Sequence, residues 1–183
     1  VPTFEARVRA QGLPNYRVFE RTDATRTSGD SPSGDVLAIR HIEPIQANAA
    51  ALGVNALSIP AARVAIVHAN RTGLPVATAG FRLTQIDASQ DQTGVVIYAT
   101  VYTGAPLTGL EREQAVRGVA FVSFHLDGLL RSLVPQLRHN LKLCVVDTDP
   151  GASRRRLAGP PGCDAQGADN RRVRTFAFAG RQW

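Results

Sequence analysis

Four histidines and two cysteines carry most of the chemistry this 183-residue sequence could do. His125 and Asp127 lie two apart in a run, Arg117 to Asp127, that alternates like a strand, so both face the same side. Such a pair could share a proton, but no nucleophile is identifiable beside it. His41 falls in a strand pattern, His68 in a helical one and His139 after a helix. Each reads as a packing or surface residue. No Gly-x-Ser-x-Gly elbow, phosphate-binding glycine loop or paired metal histidines occur. No catalytic residue, metal or cofactor is therefore expected, and the sequon Asn70-Arg71-Thr72 is assigned no role.

Cys144 and Cys163 have eighteen residues between them. They cannot complete a structural zinc site, because no histidine follows Cys144. Cys144 lies in an apolar strand pattern, and Cys163 ends the turn-forming run Gly159-Pro160-Pro161-Gly162. A disulfide would tie that loop back to the sheet and stabilise the chain by roughly 3 kcal/mol, in an oxidising compartment. The alternative is a buried Cys144 and a free Cys163.

The chain carries 21 Lys+Arg against 15 Asp+Glu, a net charge of +6, and Lys142 is its single lysine. Residues 1–103 hold 9 basic and 8 acidic side chains, and residues 104–183 hold 12 and 7. The excess sits in Arg154-Arg155-Arg156 and in Arg171, Arg172 and Arg174. A nucleic-acid surface interleaves basic residues with aromatics. Only Phe176 and Phe178 come close, inside Arg172 to Phe178, which alternates like a half-buried strand. The reading is a solvated strand face and a charged loop, with an anionic membrane surface as the alternative and no nucleic-acid partner.

The elements that must position these residues follow from periodicity and punctuation. The 44% hydrophobic and 20% charged fractions suit a globular chain. No apolar run approaches the ~20 residues that cross a bilayer, and no signal peptide is evident. Without methionine and with Val1 first, the chain reads as an excised piece of a longer polypeptide. Phe4 to Gln11 predicts a helix ended by Gly12. Tyr16 to Glu20 and Val36 to Ile42 predict strands around a polar loop, and Ile45 to Leu52 a helix. Ser58 is expected to cap a helix that starts near Pro60 and stops at Gly73. Val76 to Gln85 and Gly94 to Tyr102 predict a hairpin joined by the polar loop Asp87 to Thr93. Gly128 to Leu137 predicts an amphipathic helix, and Leu141 to Asp147 and Arg172 to Phe178 the last strands. The order fits an α/β (α+β) fold of two small subdomains, 1–103 and 104–183, joined at Thr103 to Gly109.

An ordered set of short segments adds to this. Ile42-Glu43-Pro44, Asn48, Leu52-Gly53, Ala61-Ala62-Arg63 and Ala69-Asn70-Arg71-Thr72-Gly73 come first. Phe81-Arg82-Leu83-Thr84-Gln85, Gly94 to Tyr102 and Arg117-Gly118 follow. Over Phe4 to Asp147 this string resembles a CHASE domain, the extracytoplasmic sensor module of receptor histidine kinases and nucleotide cyclases. The resemblance implies two stacked PAS-like subdomains with mixed or antiparallel sheets, the stalk helix before them largely absent. It implies the periplasmic or extracellular portion of an inner-membrane protein, a location that suits a Cys144–Cys163 bridge. It also implies a small-molecule ligand, flanking transmembrane helices, a cytoplasmic output domain and a possible homodimer.

Ligands of the family bind the membrane-distal subdomain, which would be about Val1 to Tyr102. Ala62 stands where cytokinin receptors of the family carry an adenine-gripping carboxylate, so the resemblance implies a ligand other than an adenine-type cytokinin. Thr78 and Thr84 match pocket positions; Tyr98 and Thr100 replace a threonine and a proline. The expected pocket is walled by Thr78, Phe81, Leu83, Thr84, Tyr98 and Thr100, with Ala62 from the helix. The expected function is a non-enzymatic, small-molecule-sensing ectodomain of a receptor of the histidine kinase or diguanylate cyclase type. The alternatives are a protein-interaction module without a small ligand, and an enzyme using His125 and Asp127.

Overall fold

The structure, a computed structural model, describes residues 1–22, 25–27, 34–83, 93–133, 142–165 and 172–183. Its contacts divide the chain into two compact units. One comprises Val1–Arg63, and the other Val64–Leu83 with Asp91–Trp183.

In the first unit, helix α1 (Pro2–Ala10) opens with proline, whose missing N–H costs nothing in a first turn. Its polar face braces the next segment: Glu5 pairs with Arg9 and accepts the Val18 N–H, and Arg9 donates to the Tyr16 carbonyl. Beneath these bonds Val8, Tyr16 and Val18 form a small core, with Leu13, Val36 and Ala38 packed on it. A short ribbon follows, β1 (Glu20–Thr22) paired antiparallel with β2 (Thr25–Thr27).

Helix α2 (Ile45–Asn48) runs into a 3-10 turn at Ala49–Ala51, and a second such turn covers Ala56–Ser58. Between them, residues 53–55 lie sandwiched by two extended segments. Phe19 N–H donates to the Gly53 carbonyl and Asn55 N–H to that of Phe19. On the other side Ile39 N–H donates to Val54 O, and Gly53 N–H to Ile39 O. Gly53 has φ +83°, and a Cβ there would collide with the Arg17 carbonyl, so only glycine fits.

The expected strand over Val36 to Ile42 is therefore not a strand. Ala38 makes one isolated bridge, to Asn55, and Leu37 N–H is taken by the buried Asn55 side chain in place of a backbone partner. Tyr16 to Glu20 likewise gives only a bridge at Phe19, with β1 starting at Glu20. Ser58 does not cap the next helix. Its hydroxyl accepts the Arg21 N–H and donates to the Asn55 carbonyl.

Helix α3 (Pro60–Thr72) starts with proline and buries Ala62, Ala65, Ile66 and Ala69, one face at helical spacing. In the second unit, β3 (Val76–Ala77) and β4 (Phe81–Arg82) lie end to end along one edge of β5 (Thr93–Tyr102). They are the two halves of one broken strand. Helix α4 (Gly109–Ala115) opens on a capping box of Thr108 and Glu111 and leads into β6 (Val116–His125), which pairs along the other edge of β5. Strands β5 and β6 are thus partners in one sheet.

Val95, Ile97 and Ala77 share one face of this sheet. They pack on Leu157, Ala158, Trp183 and Leu126, the last opening α5 (Leu126–Leu133). A small ribbon, β7 (Val145–Val146) with β8 (Arg156–Ala158), carries Leu157 into that core. The chain ends in a hairpin, β9 (Ala177–Phe178) and β10 (Arg181–Gln182), docked on β3 by a bond from Ala77 N–H to the Ala179 carbonyl. Residues 172–176, expected to continue that strand, are exposed and outside it. The mixture of helices and antiparallel sheets agrees with the α/β (α+β) expectation.

Candidate functional site

Register decides which expected pocket residues meet. Val76 pairs with Tyr98, and Phe81 with Gly94. Side chains alternate along each strand and paired residues share a face. Val76, Phe81, Leu83, Val96, Tyr98 and Thr100 therefore lie on the face opposite the Leu157 core. Thr78 joins them at the break between β3 and β4, its N–H donating to Val96 O and its hydroxyl accepting the Val96 N–H at 3.1 Å. Leu83 is 4% exposed, with its side chain directly over Gly94. Five of the seven expected residues are thus on one surface of one unit. Ala62 is fully buried on α3 but belongs to the other unit, and Thr84 lies outside the described residues.

The polar groups of this face differ in how they are satisfied. Thr100 donates to Asn70 Oδ1 at 2.8 Å, and Tyr102 donates to the Ala69 and Asn70 carbonyls, so the end of α3 covers this part of the sheet. Tyr98 is only 3% exposed, and its ring leans on Phe121 at 5.9 Å. Its hydroxyl has no hydrogen-bond partner among the described residues. Burial pushes its phenol well above the ordinary tyrosine range.

The Tyr98 hydroxyl is not among the enclosed, unpartnered polar atoms of the described residues, so its oxygen keeps some contact with solvent. Tyr98→Phe is therefore expected to leave urea unfolding within about 0.5 kcal/mol of the parent. A loss above about 1 kcal/mol would show that the hydroxyl is bonded in the folded state. The raised pKa also fixes the alkaline behaviour. The folded state keeps its proton while the unfolded chain loses one near pH 10, the ordinary tyrosine value. Stability is therefore full below pH 10 and falls above it. In Tyr98→Phe that alkaline fall becomes smaller.

The first unit holds a cavity of about 300 Å³ between the Leu13–Phe19 segment and Ala49 and Leu52. Sequence patterns did not point to it. Its walls come from a turn and a 3-10 segment, and neither has a periodicity that marks a pocket.

The His125–Asp127 pair does not form. Strand β6 ends at His125, and Asp127 already lies in α5, where periodicity no longer puts the two on one side. The Asp127 carboxylate accepts the Gly159 N–H at 2.9 Å and lies 3.9 Å from the Arg156 guanidinium. His139 lies outside the described residues. Cys144 and Cys163 are joined in a disulfide. No helix among the described residues is long and apolar enough to cross a membrane.

The family model described as CHASE domain matches residues 1–157. A search of curated proteins gives no match. The matched span contains the broken β3–β4 strand, β5, β6 and most of the core beneath them. The chain belongs to the CHASE domain family, the extracytoplasmic, non-catalytic sensor modules of signalling receptors.

Proposed function

We propose that this chain is the small-molecule-sensing part of a membrane-bound receptor of the histidine kinase or diguanylate cyclase type. Its ligand would sit against the sheet face of Thr78, Phe81, Leu83, Tyr98 and Thr100. The observation that carries this reading is Tyr98, a phenol 3% exposed with no partner among the described residues, on a face otherwise satisfied within the chain. A ligand acceptor meeting that hydroxyl would gain a hydrogen bond in a low-dielectric setting, where it counts most.

Stacked PAS-like subdomains, flanking transmembrane helices, a cytoplasmic output domain and a homodimeric parent complete the reading. Ligand binding biases such a switch only by its differential affinity for the two states, about 1.4 kcal/mol for each factor of ten. A second reading, a protein-interaction module without a small ligand, draws support from the bonds that already occupy Thr78 and Thr100.

A thermal-shift screen of small metabolites tests the proposal. A hit should lose its shift in Tyr98→Ala/Thr100→Ala, provided circular dichroism shows that variant folded. In Tyr98→Phe its affinity should fall about tenfold, the worth of one hydrogen bond. An undiminished shift in the folded double variant refutes the site and favours the second reading.

A further inference from the structure

From Arg172 to Trp183 the chain carries three arginines and no acidic residue. Arg181 is spoken for, held by Asp147 at 2.7 Å. Arg172 and Arg174 are exposed, and neither has an ion-pair partner among the described residues. Between and beyond them Val173, Phe176 and Phe178 are 76, 51 and 45% exposed.

The two phenylalanines are not loose. Phe176 and Trp183 exchange both backbone hydrogen bonds, at 2.9 and 3.0 Å. The Trp183 ring lies 6.0 Å from Phe176 and 5.4 Å from Phe178 and is itself 9% exposed. The result is a rigid aromatic ledge flanked by two unpaired guanidinium groups. Their apolar stems can lie along a hydrocarbon boundary while the charges stay in the headgroup layer.

We infer that this ledge docks on an anionic lipid bilayer surface. Headgroup phosphates attract Arg172 and Arg174, and Val173, Phe176 and Phe178 enter the boundary between headgroups and acyl chains. Charge complementarity selects this occupant, since the segment has no acid to repel an anionic surface. An extracytoplasmic family leaves no nucleic acid to compete for it. The inference rests on family membership and not on the ligand-sensing reading, so either can fail alone.

Co-sedimentation with phosphatidylglycerol vesicles, against phosphatidylcholine vesicles, tests it. Binding is expected to the first, and to weaken with salt as the Debye length shortens. Arg172→Gln/Arg174→Gln should weaken it about 25-fold, at about fivefold per arginine. These exposed side chains hold nothing together, so that variant should melt like the parent. Trp183, the single tryptophan, reports insertion through quenching by brominated acyl chains. That quenching should fall in Phe178→Ser while salt-dependent sedimentation persists. Three results overturn the inference: no binding, equal binding to phosphatidylcholine, or unchanged binding by the folded double-glutamine variant. Equal affinity for soluble polyglutamate also overturns it, in favour of an acidic protein partner.

Discussion

Replacing Asp147 with alanine is expected to cost about 3 kcal/mol of folding free energy, the lower end for breaking a buried ion pair, because Arg181 keeps a second carboxylate, Asp149, at 3.6 Å. Asp147 is 0% exposed. Its Oδ2 accepts the Arg181 Nε–H at 2.9 Å, and Arg181 Nη2 lies 2.7 Å away off the hydrogen-bond direction. Oδ1 accepts the Asp149 N–H, and Asp149 in turn accepts the Gln182 N–H at 2.8 Å. The Asp147 carboxylate thus anchors β10 to the end of β7, and the same hairpin holds β3 through Ala77 and Ala179.

In thermal unfolding, Asp147→Ala should lower Tm by about 10 °C in a chain of this size. Asp147→Asn keeps an acceptor without the charge and should lose less. Asp147→Val/Arg181→Met removes both charges from the interior and should recover much of the loss. A deficit below about 1 kcal/mol in Asp147→Ala would mean that the pair behaves like a surface ion pair. The hairpin would then be held by its backbone bonds alone.

What was legible in the residues and what was not divide along one physical line. Segments whose hydrogen bonds are internal or made to a long partner declared themselves. Pro60 and Gly73 bracket α3, and the unbroken run from Gly94 to Tyr102 is β5. Alternation along that run put Tyr98 and Thr100 on one face, where the register places them. Segments whose partners are short or made of side chains did not. Val36 to Ile42 alternates as a strand should, but its neighbour is only the short segment 53–55, and Asn55 Oδ1 takes one of the donors a strand would have paired.

The same holds further along. Arg117 to Asp127 alternates to its end, yet the strand stops at His125, and α5 begins inside the pattern. Arg172 to Thr175 alternates with no strand beside it among the described residues. Alternation reports a two-sided environment, and a partner strand is a separate condition that local sequence does not carry. The Leu13–Leu52 cavity was invisible for a related reason, being walled by turns that have no period.

Cys144→Ser/Cys163→Ser, or reduction of the parent, is expected to lower stability by about 3 kcal/mol, the closure entropy of a loop of roughly 20 residues. That loop is not peripheral. It carries β8, whose Leu157 and Ala158 are fully buried against Val95 and Ile97. Gly159, at φ +113°, lets the returning chain pass so close that a Cβ would sit 2.5 Å from the Leu143 carbonyl and 3.0 Å from Cys163 Sγ. Urea unfolding with and without reductant measures the difference, and thiol titration of the unreduced, denatured chain should find no free thiol. If reduction leaves the unfolding midpoint in place, the β7–β8 pairing alone closes the loop. If the loss is as large as expected, it is a sizeable share of the ~5–15 kcal/mol a domain possesses. A chain that leans this heavily on a bridge keeps its sheet packed only where thiols stay oxidised. The Tyr98 face on the other side of that sheet, where the ligand is proposed to sit, then depends on an oxidising environment for its shape.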